Sequence, residues 1–519
     1  MRMVVRGVLV VAMCAAVGLA VEARIGSSDA ALQFQLGTLL YEETRFYEAR
    51  EAFRRAADTD DPALKMRARI GVVKTALLVG EFEDAQQEAA SLRADSPGNP
   101  EAMAIHADAL WSAGLFDEAE SEFRDALAIA PGMSRGRHGL AKALASRSHL
   151  KEALDEVQAA LGTAPRDGEL HHTSGAILER MHRYEEAAVS YSNYVNLLPN
   201  KDKSDKALWA KAQIRFLQAF KDREANALDD NSRGRLHTVP FKLVNDKVIV
   251  KARVNGGRWV DFVLDTGSEQ TTMSRQIGQA AGVVPITYTL SAGVGEVGLR
   301  GLQLARLDSF EVGTLKVHDV PVLIKNPALK GIPKREMESF SPMALGLSMT
   351  IDYATKMLTM GEHLTDDAAD IKLPLRMHRL AMVRGLINAE RPAYFVVDTG
   401  GEVISISRAT ADALRPGEKL GRRIALKVYG TSGWDRDAFL MQGVNLRFLD
   451  IEYNNFSVVV LNLRAPSVLL GFQLGGIVGH RFLSPYRVAM DLERSELRMT
   501  RASGEPLRTT AGGLSQFAQ

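Results

Sequence analysis

Cysteine is almost missing: one residue in 519, Cys14. It lies in an uncharged, mostly apolar opening run, Gly7 to Val21, behind Arg2 and Arg6. That run is short for a membrane span, which needs about 20 apolar residues. Val21-Glu22-Ala23 follows with small residues suited to a signal peptidase, so residues 1–23 read as a cleaved export signal, with an uncleaved anchor as the alternative. A protein processed there keeps no thiol. That excludes a disulfide, a cysteine-ligated metal and a cysteine nucleophile, and it suits a periplasmic or secreted protein. Charge of one sign is lacking too. Lys and Arg number 64 against 63 Asp and Glu, a net of +1, so nothing in the composition suggests a nucleic-acid partner. There is no GxSxG, P-loop or HExxH motif. The adjacent His171 and His172 point about 100 degrees apart on a helix and cannot chelate one ion together. No cofactor and no metal are expected, and Trp111, Trp209, Trp259 and Trp434 are scattered as core or rim residues.

What the sequence has is repetition. Pro97, Pro131, Pro165 and Pro199 recur every 34 residues, as do Ala85, Ala119, Ala153 and Ala187, and Phe82, Phe116, Leu150 and Tyr184. A small Ala lets two helices approach, the larger residue three positions earlier fills the gap between them, and Pro ends the second helix. Phe46 and Ala49 begin a looser unit. The period and residue types resemble tetratricopeptide repeats, about five of them. A further helix, Ser204 to Phe220, closes the apolar end. The array is placed at 31–222. The resemblance implies that it binds a peptide or partner protein, with a spacer role as the alternative. The polar stretch 223–238 reads as a linker.

Beyond it the pattern alternates, as in strands. Phe262-Val263-Leu264-Asp265-Thr266-Gly267-Ser268 is echoed by Phe395-Val396-Val397-Asp398-Thr399-Gly400-Gly401, and Ala344-Leu345-Gly346 by Ile477-Val478-Gly479. The Asp-to-Gly distance is 81 residues in both copies. This duplication points to two homologous lobes, 239–365 and 366–502, before a flexible tail at 503–519.

The halves resemble retropepsin-like lobes fused in one chain, as in bacterial aspartyl protease family proteins with tetratricopeptide repeats. The expected fold is an all-α solenoid followed by an all-β bilobal aspartic protease fold. The resemblance implies that Asp265 and Asp398 form a catalytic pair. Thr266, Gly267, Ser268, Thr399 and Gly400 would support their loops, with the two threonines bonding across the lobes. Flap tips are expected at Gly293 and Gly295 in the first lobe and at Tyr429 and Gly430 in the second. Gly293, Gly295 and Gly298 also spell GxGxxG, but alternation rather than a helix follows, which argues against a dinucleotide site.

Two asymmetries are expected. Ser268 can bond its carboxylate whereas Gly401 cannot. Gly346 to Asp352 spans 6 residues against 12 from Gly479 to Asp491, so the first lobe is expected to lack the short helix begun by His480-Arg481-Phe482-Leu483. Such a protein would be an aspartic endopeptidase acting on polypeptides with no membrane span after processing. The alternatives are a catalytically silent protease-fold scaffold of the cell envelope, or lobes that pair with another chain.

Overall fold

The computed structural model describes residues 29–199, 201, 204–295, 299–325, 338–414, 423–430 and 432–501. The expected signal at 1–23 and the tail at 503–519 lie outside these residues. The chain forms two compact units that divide between Gly139 and Leu140.

The first unit is helical. Helix α1 covers 29–42, followed by α2 (Phe46–Ala56), α3 (Pro62–Leu78), α4 (Phe82–Asp95), α5 (Pro100–Ser112) and α6 (Phe116–Ile129), and α7 (Ser134–Ser146) begins in it. Asp61 and Asn99 cap α3 and α5, each accepting from two backbone N–H groups ahead of a proline at the first helical position. Phe82 and Phe116 open α4 and α6, and Ala85 and Ala119 one turn on are fully buried. Glycine marks the facing helices: a Cβ at Gly71 of α3 would lie 2.7 Å from the Phe53 ring of α2, and one at Gly139 2.1 Å from Phe123. Each aromatic therefore seats on bare backbone.

The second unit continues the same repeat with α8 (Leu150–Thr163), α9 (Gly168–Arg180), α10 (Tyr184–Leu197) and α11 (Asp205–Gln218), the last capped by Ser204. Leu150 and Tyr184 again start their helices, and Pro165 and Pro199 lie just past the ends. The described helices make five pairs and a closing helix.

Two β lobes follow within this unit. Each builds a sheet in which the strand leading to its Asp-Thr-Gly, Trp259–Leu264 or Arg391–Val397, is central. The lobes meet in a six-stranded antiparallel layer, three strands from each. His237–Pro240, Met357–Gly361 and Ser348–Asp352 belong to the first, and Tyr486–Asp491, Glu496–Arg501 and Ile371–His378 to the second. Met349 pairs with Met490 across the pseudo-twofold, and one continuous apolar core underlies both lobes.

The strand register corrects the expected alignment. Glu338–Phe340 lies parallel to the first Asp strand, with Phe340 opposite Leu264, just as Val478 lies opposite Val397 in the second lobe. The partner of Gly479 is therefore Ser341, and Ala344-Leu345-Gly346 belongs to the following 3-10 turn, Pro342–Leu345. That turn is the counterpart of His480–Leu483, so the first lobe does not lack its short helix. Eleven residues separate Ser341 from Asp352 and twelve separate Gly479 from Asp491.

The polar stretch read as a linker is stitched to the first lobe. Ala227–Leu228 pairs with Val317 and His318, the Asp229 N–H donates to the Lys316 carbonyl, and Ala225, Ser232 and His237 are buried. Short polar side chains such as Ser232 and His237 satisfy local backbone and Thr314 instead of facing water. The closing helices are fastened as well. Phe216 of α11 and Phe220 just past its end share a buried cluster with Leu304 of the first lobe. Arg180 of α9 donates to the Met377 carbonyl at 3.2 Å and Arg376 to the Ser146 hydroxyl at 2.9 Å.

Candidate active site

Each apolar strand ends one residue before its aspartate, which leaves the carboxylate on the turn that follows. The Asp265 N–H donates to the Phe340 carbonyl at 2.9 Å and the Asp398 N–H to Val478 at 3.0 Å, so both turns are tied down alike.

The threonines then join the turns. The Thr266 hydroxyl donates to the Val397 carbonyl at 2.5 Å and accepts from the Thr399 N–H at 3.0 Å. The Thr399 hydroxyl donates to Leu264 at 2.7 Å and accepts from the Thr266 N–H at 3.1 Å. All four bonds are buried and cross between the lobes. Losing one hydroxyl orphans a buried carbonyl and an N–H, at about 1–3 kcal/mol per group.

Glycine closes the remaining distance. A Cβ at Gly267 would lie 2.6 Å from the Asp398 carboxyl carbon, and one at Gly400 2.8 Å from an Asp265 oxygen. Each loop's glycine is thus packed against the other lobe's carboxylate, and any side chain there would push the two apart.

The carboxyls share one site. Burial first, and the neighbouring Asp265 charge second, push Asp398 up to about 7, although its Oδ1 accepts from the Gly400 and Gly401 N–H groups at 2.8 and 3.0 Å. Burial also raises Asp265, against the Lys325 charge, the Ser339 hydroxyl and Lys247. Two adjacent carboxylates that both resist ionisation hold a single proton between them near neutral pH. Ser268 does not supply the expected difference between the loops: its hydroxyl donates to the Gln270 carbonyl at 2.8 Å. Asp398 instead draws on backbone N–H groups, Gly401 included, and Asp265 on the side chain of Ser339. Ser339 carried no signal in the sequence, because the false Ala-Leu-Gly match hid its strand.

The expected flap residues come together. Strands Pro285–Ala292 and Leu299–Val312 form one hairpin, and Val428–Gly430 with Gly433–Asp435 the other. The Gly293 N–H donates to the Ser432 hydroxyl at 3.1 Å and the Ser432 N–H to the Val294 carbonyl at 2.9 Å. A Cβ at Gly430 would lie 2.3 Å from the Val294 oxygen, and Gly295, at φ +136°, abuts the Ser432 backbone. Tyr429 packs edge-on against Trp434 behind the second tip. Strands rather than a helix flank the GxGxxG pattern, which does not suit a dinucleotide site; Gly298 lies outside the described residues.

The His171 Nε2–H donates to the Pro165 carbonyl, while His172 is half-buried against the rings of Tyr191, Tyr194 and Trp209, so the two face apart. Among the described residues no group of histidines and carboxylates has the arrangement of a metal site, and no helix is long and apolar enough to cross a membrane.

Residues 250–349 match the aspartyl protease family model, and residues 110–177 match a tetratricopeptide repeat model. Among solved structures, a tetratricopeptide protein of Thermus thermophilus is 18% identical, with 36% of this chain and 98% of that chain covered and a TM-score of 0.31. The pilF protein of Pseudomonas aeruginosa is 15% identical, with 38% and 86% covered and a TM-score of 0.28. No curated protein matches the chain. The chain therefore joins an aspartyl-protease-type domain to a tetratricopeptide repeat array.

Proposed function

We propose that the protein is an aspartic endopeptidase, exported to the periplasm or beyond, whose repeat array engages a protein or peptide partner. The observation that supports the catalytic reading is the convergence of Asp265 and Asp398, held by the Thr266–Thr399 bonds and with both ionisations pushed upward.

With one proton between them, the ionised carboxylate takes a proton from a water lodged between the two. The water oxygen bonds to the scissile carbonyl carbon while the other carboxyl gives its proton to the carbonyl oxygen. The tetrahedral diol that results loses its amine, which takes up a proton as the C–N bond breaks, and a carboxylic acid remains. No covalent enzyme intermediate forms. Chain elements do the positioning: the threonine bonds fix the carboxyls, and the meeting flap tips cover the cleft.

Such a site binds the diol more tightly than the flat amide. A peptide with a hydroxyl-bearing carbon in place of the scissile amide should bind at least about 100-fold tighter than its amide counterpart. That advantage should disappear in an Asp265→Asn, Asp398→Asn double variant. Calorimetry showing equal affinity for both peptides in the unaltered protein would count against the reading.

A further inference from the structure

The pseudo-twofold that relates the lobes is broken beside the two Asp-Thr-Gly turns. Glu269 and Glu402 occupy matched positions, each four residues after its aspartate. Glu269 is neutralised across the lobes: Arg379 donates to it at 2.8 Å. Arg379 sits in the tight turn between Ile371–His378 and Leu380–Ile387, and also donates to the Leu469 carbonyl at 3.2 Å.

Register identifies the residue that stands in for Arg379 in the first lobe. Ile249 lies opposite Val263 and Met382 opposite Val396, two residues before each aspartate. Counting back three residues from each places Asp246 where the second lobe has Arg379. The position that would supply Glu402 with a cation therefore carries a second acid. Both Asp246 and Glu402 are exposed, and neither side chain has a hydrogen-bond or ion-pair partner among the described residues.

A buried group points to the same place. His480 is 5% exposed and its Nδ1 has no partner, while its N–H donates to the Gly401 carbonyl beside Glu402 at 2.8 Å. The imidazole feels both Asp246 and Glu402, yet burial lowers its proton affinity, so it does not provide the missing charge. Lys247 and Arg481 are the nearby cations.

We propose that Asp246 and Glu402 form an acidic subsite that selects polypeptides bearing a lysine or arginine near the cleaved bond, an inference that rests on the peptidase reading. Four residues of chain reach at most about 14 Å, and an extended substrate rises about 3.3 Å per residue. The selected side chain thus lies within about four residues of the scissile bond, on one side of it only. The other side, closed by Arg379, is electrically satisfied and carries no such preference.

The test uses the full chain and a set of peptides with a hydroxyl-bearing carbon at the scissile position. One position at a time is lysine, alanine or glutamate, and binding is read by fluorescence polarisation. At one position lysine should bind about tenfold tighter than alanine, and glutamate more weakly than either. Glu402→Gln and Asp246→Asn should each shrink that ratio, and Asp246→Arg, which restores the symmetry, should abolish it. Glu269→Gln should leave the ratio in place. Equal binding of all three peptides at every position, binding of none, or a ratio unchanged by Asp246→Arg would overturn the proposal. Lysine-selective binding with no cleavage of the matching amide peptides would sink the peptidase reading and leave the subsite standing.

Discussion

Asp398 and Asp265 share a site but not a set of partners: Asp398 accepts from the Gly400 and Gly401 N–H groups, while Asp265 draws on the side chain of Ser339. A carboxyl with a folded pKa near 7, above its usual 3.8, as at Asp398, favours the folded state in its neutral form. That contribution is fully present below about pH 3.8 and is lost as pH rises through about 7. Asp398→Asn keeps the neutral shape at every pH. Its melting temperature relative to the unaltered protein should therefore rise between pH 4 and pH 8; a constant difference across that range would contradict the assignment. The two Asp-Thr-Gly triplets were legible in the sequence because catalysis by paired carboxylates needs these residue types in a fixed order. Their electrostatic inequality was not. It depends on which backbone N–H groups and hydroxyls the fold turns toward each carboxyl, and Ser268, the neighbour in sequence, turns elsewhere.

At the level of elements, the helical half was legible because its 34-residue period repeats one packing solution several times over. The alternation of strands was legible too, but the equal 81-residue spacing of two similar tripeptides misled the alignment of the lobes. Ala-Leu-Gly fits a strand and a 3-10 turn equally well in composition, and only the Phe340–Leu264 pairing decides between them. Helical glycines such as Gly71, Gly139 and Gly175 carried a signal that the Pro and Ala spacing overshadowed, since they receive aromatics from a neighbouring helix. Gly71, which receives one, and Gly162, which does not, should respond to alanine with opposite sign. Gly71→Ala drives a Cβ into the Phe53 ring and should destabilise by about 1–3 kcal/mol, more than alanine's helix preference returns. Gly162 in α8 has nothing within 4 Å, so Gly162→Ala should stabilise by about 0.5–1 kcal/mol. Chemical denaturation of both variants checks the pair.

Across the second unit as a whole, the closing helices and the stretch before the first lobe are structural parts of the protease-like half. Arg180, Arg376, Phe216 and Phe220 bind α7 to α11 to both lobes. The sequence suggested separate modules joined by a linker because each segment has its own periodicity, while the contacts that fuse them involve single residues scattered along the chain. Removing the array at residue 222 would strip this cover from the lobes, so the catalytic reading is best tested on the full chain. The most direct measurement is cleavage of an unstructured protein by the purified full chain between pH 4 and pH 8, alongside Asp265→Asn and Asp398→Asn. The paired-carboxylate mechanism predicts cleavage by the unaltered chain that falls as pH rises past about 7 and is abolished by either substitution. Cleavage that survives both substitutions, or its absence from folded, unaltered protein at every pH, would contradict it.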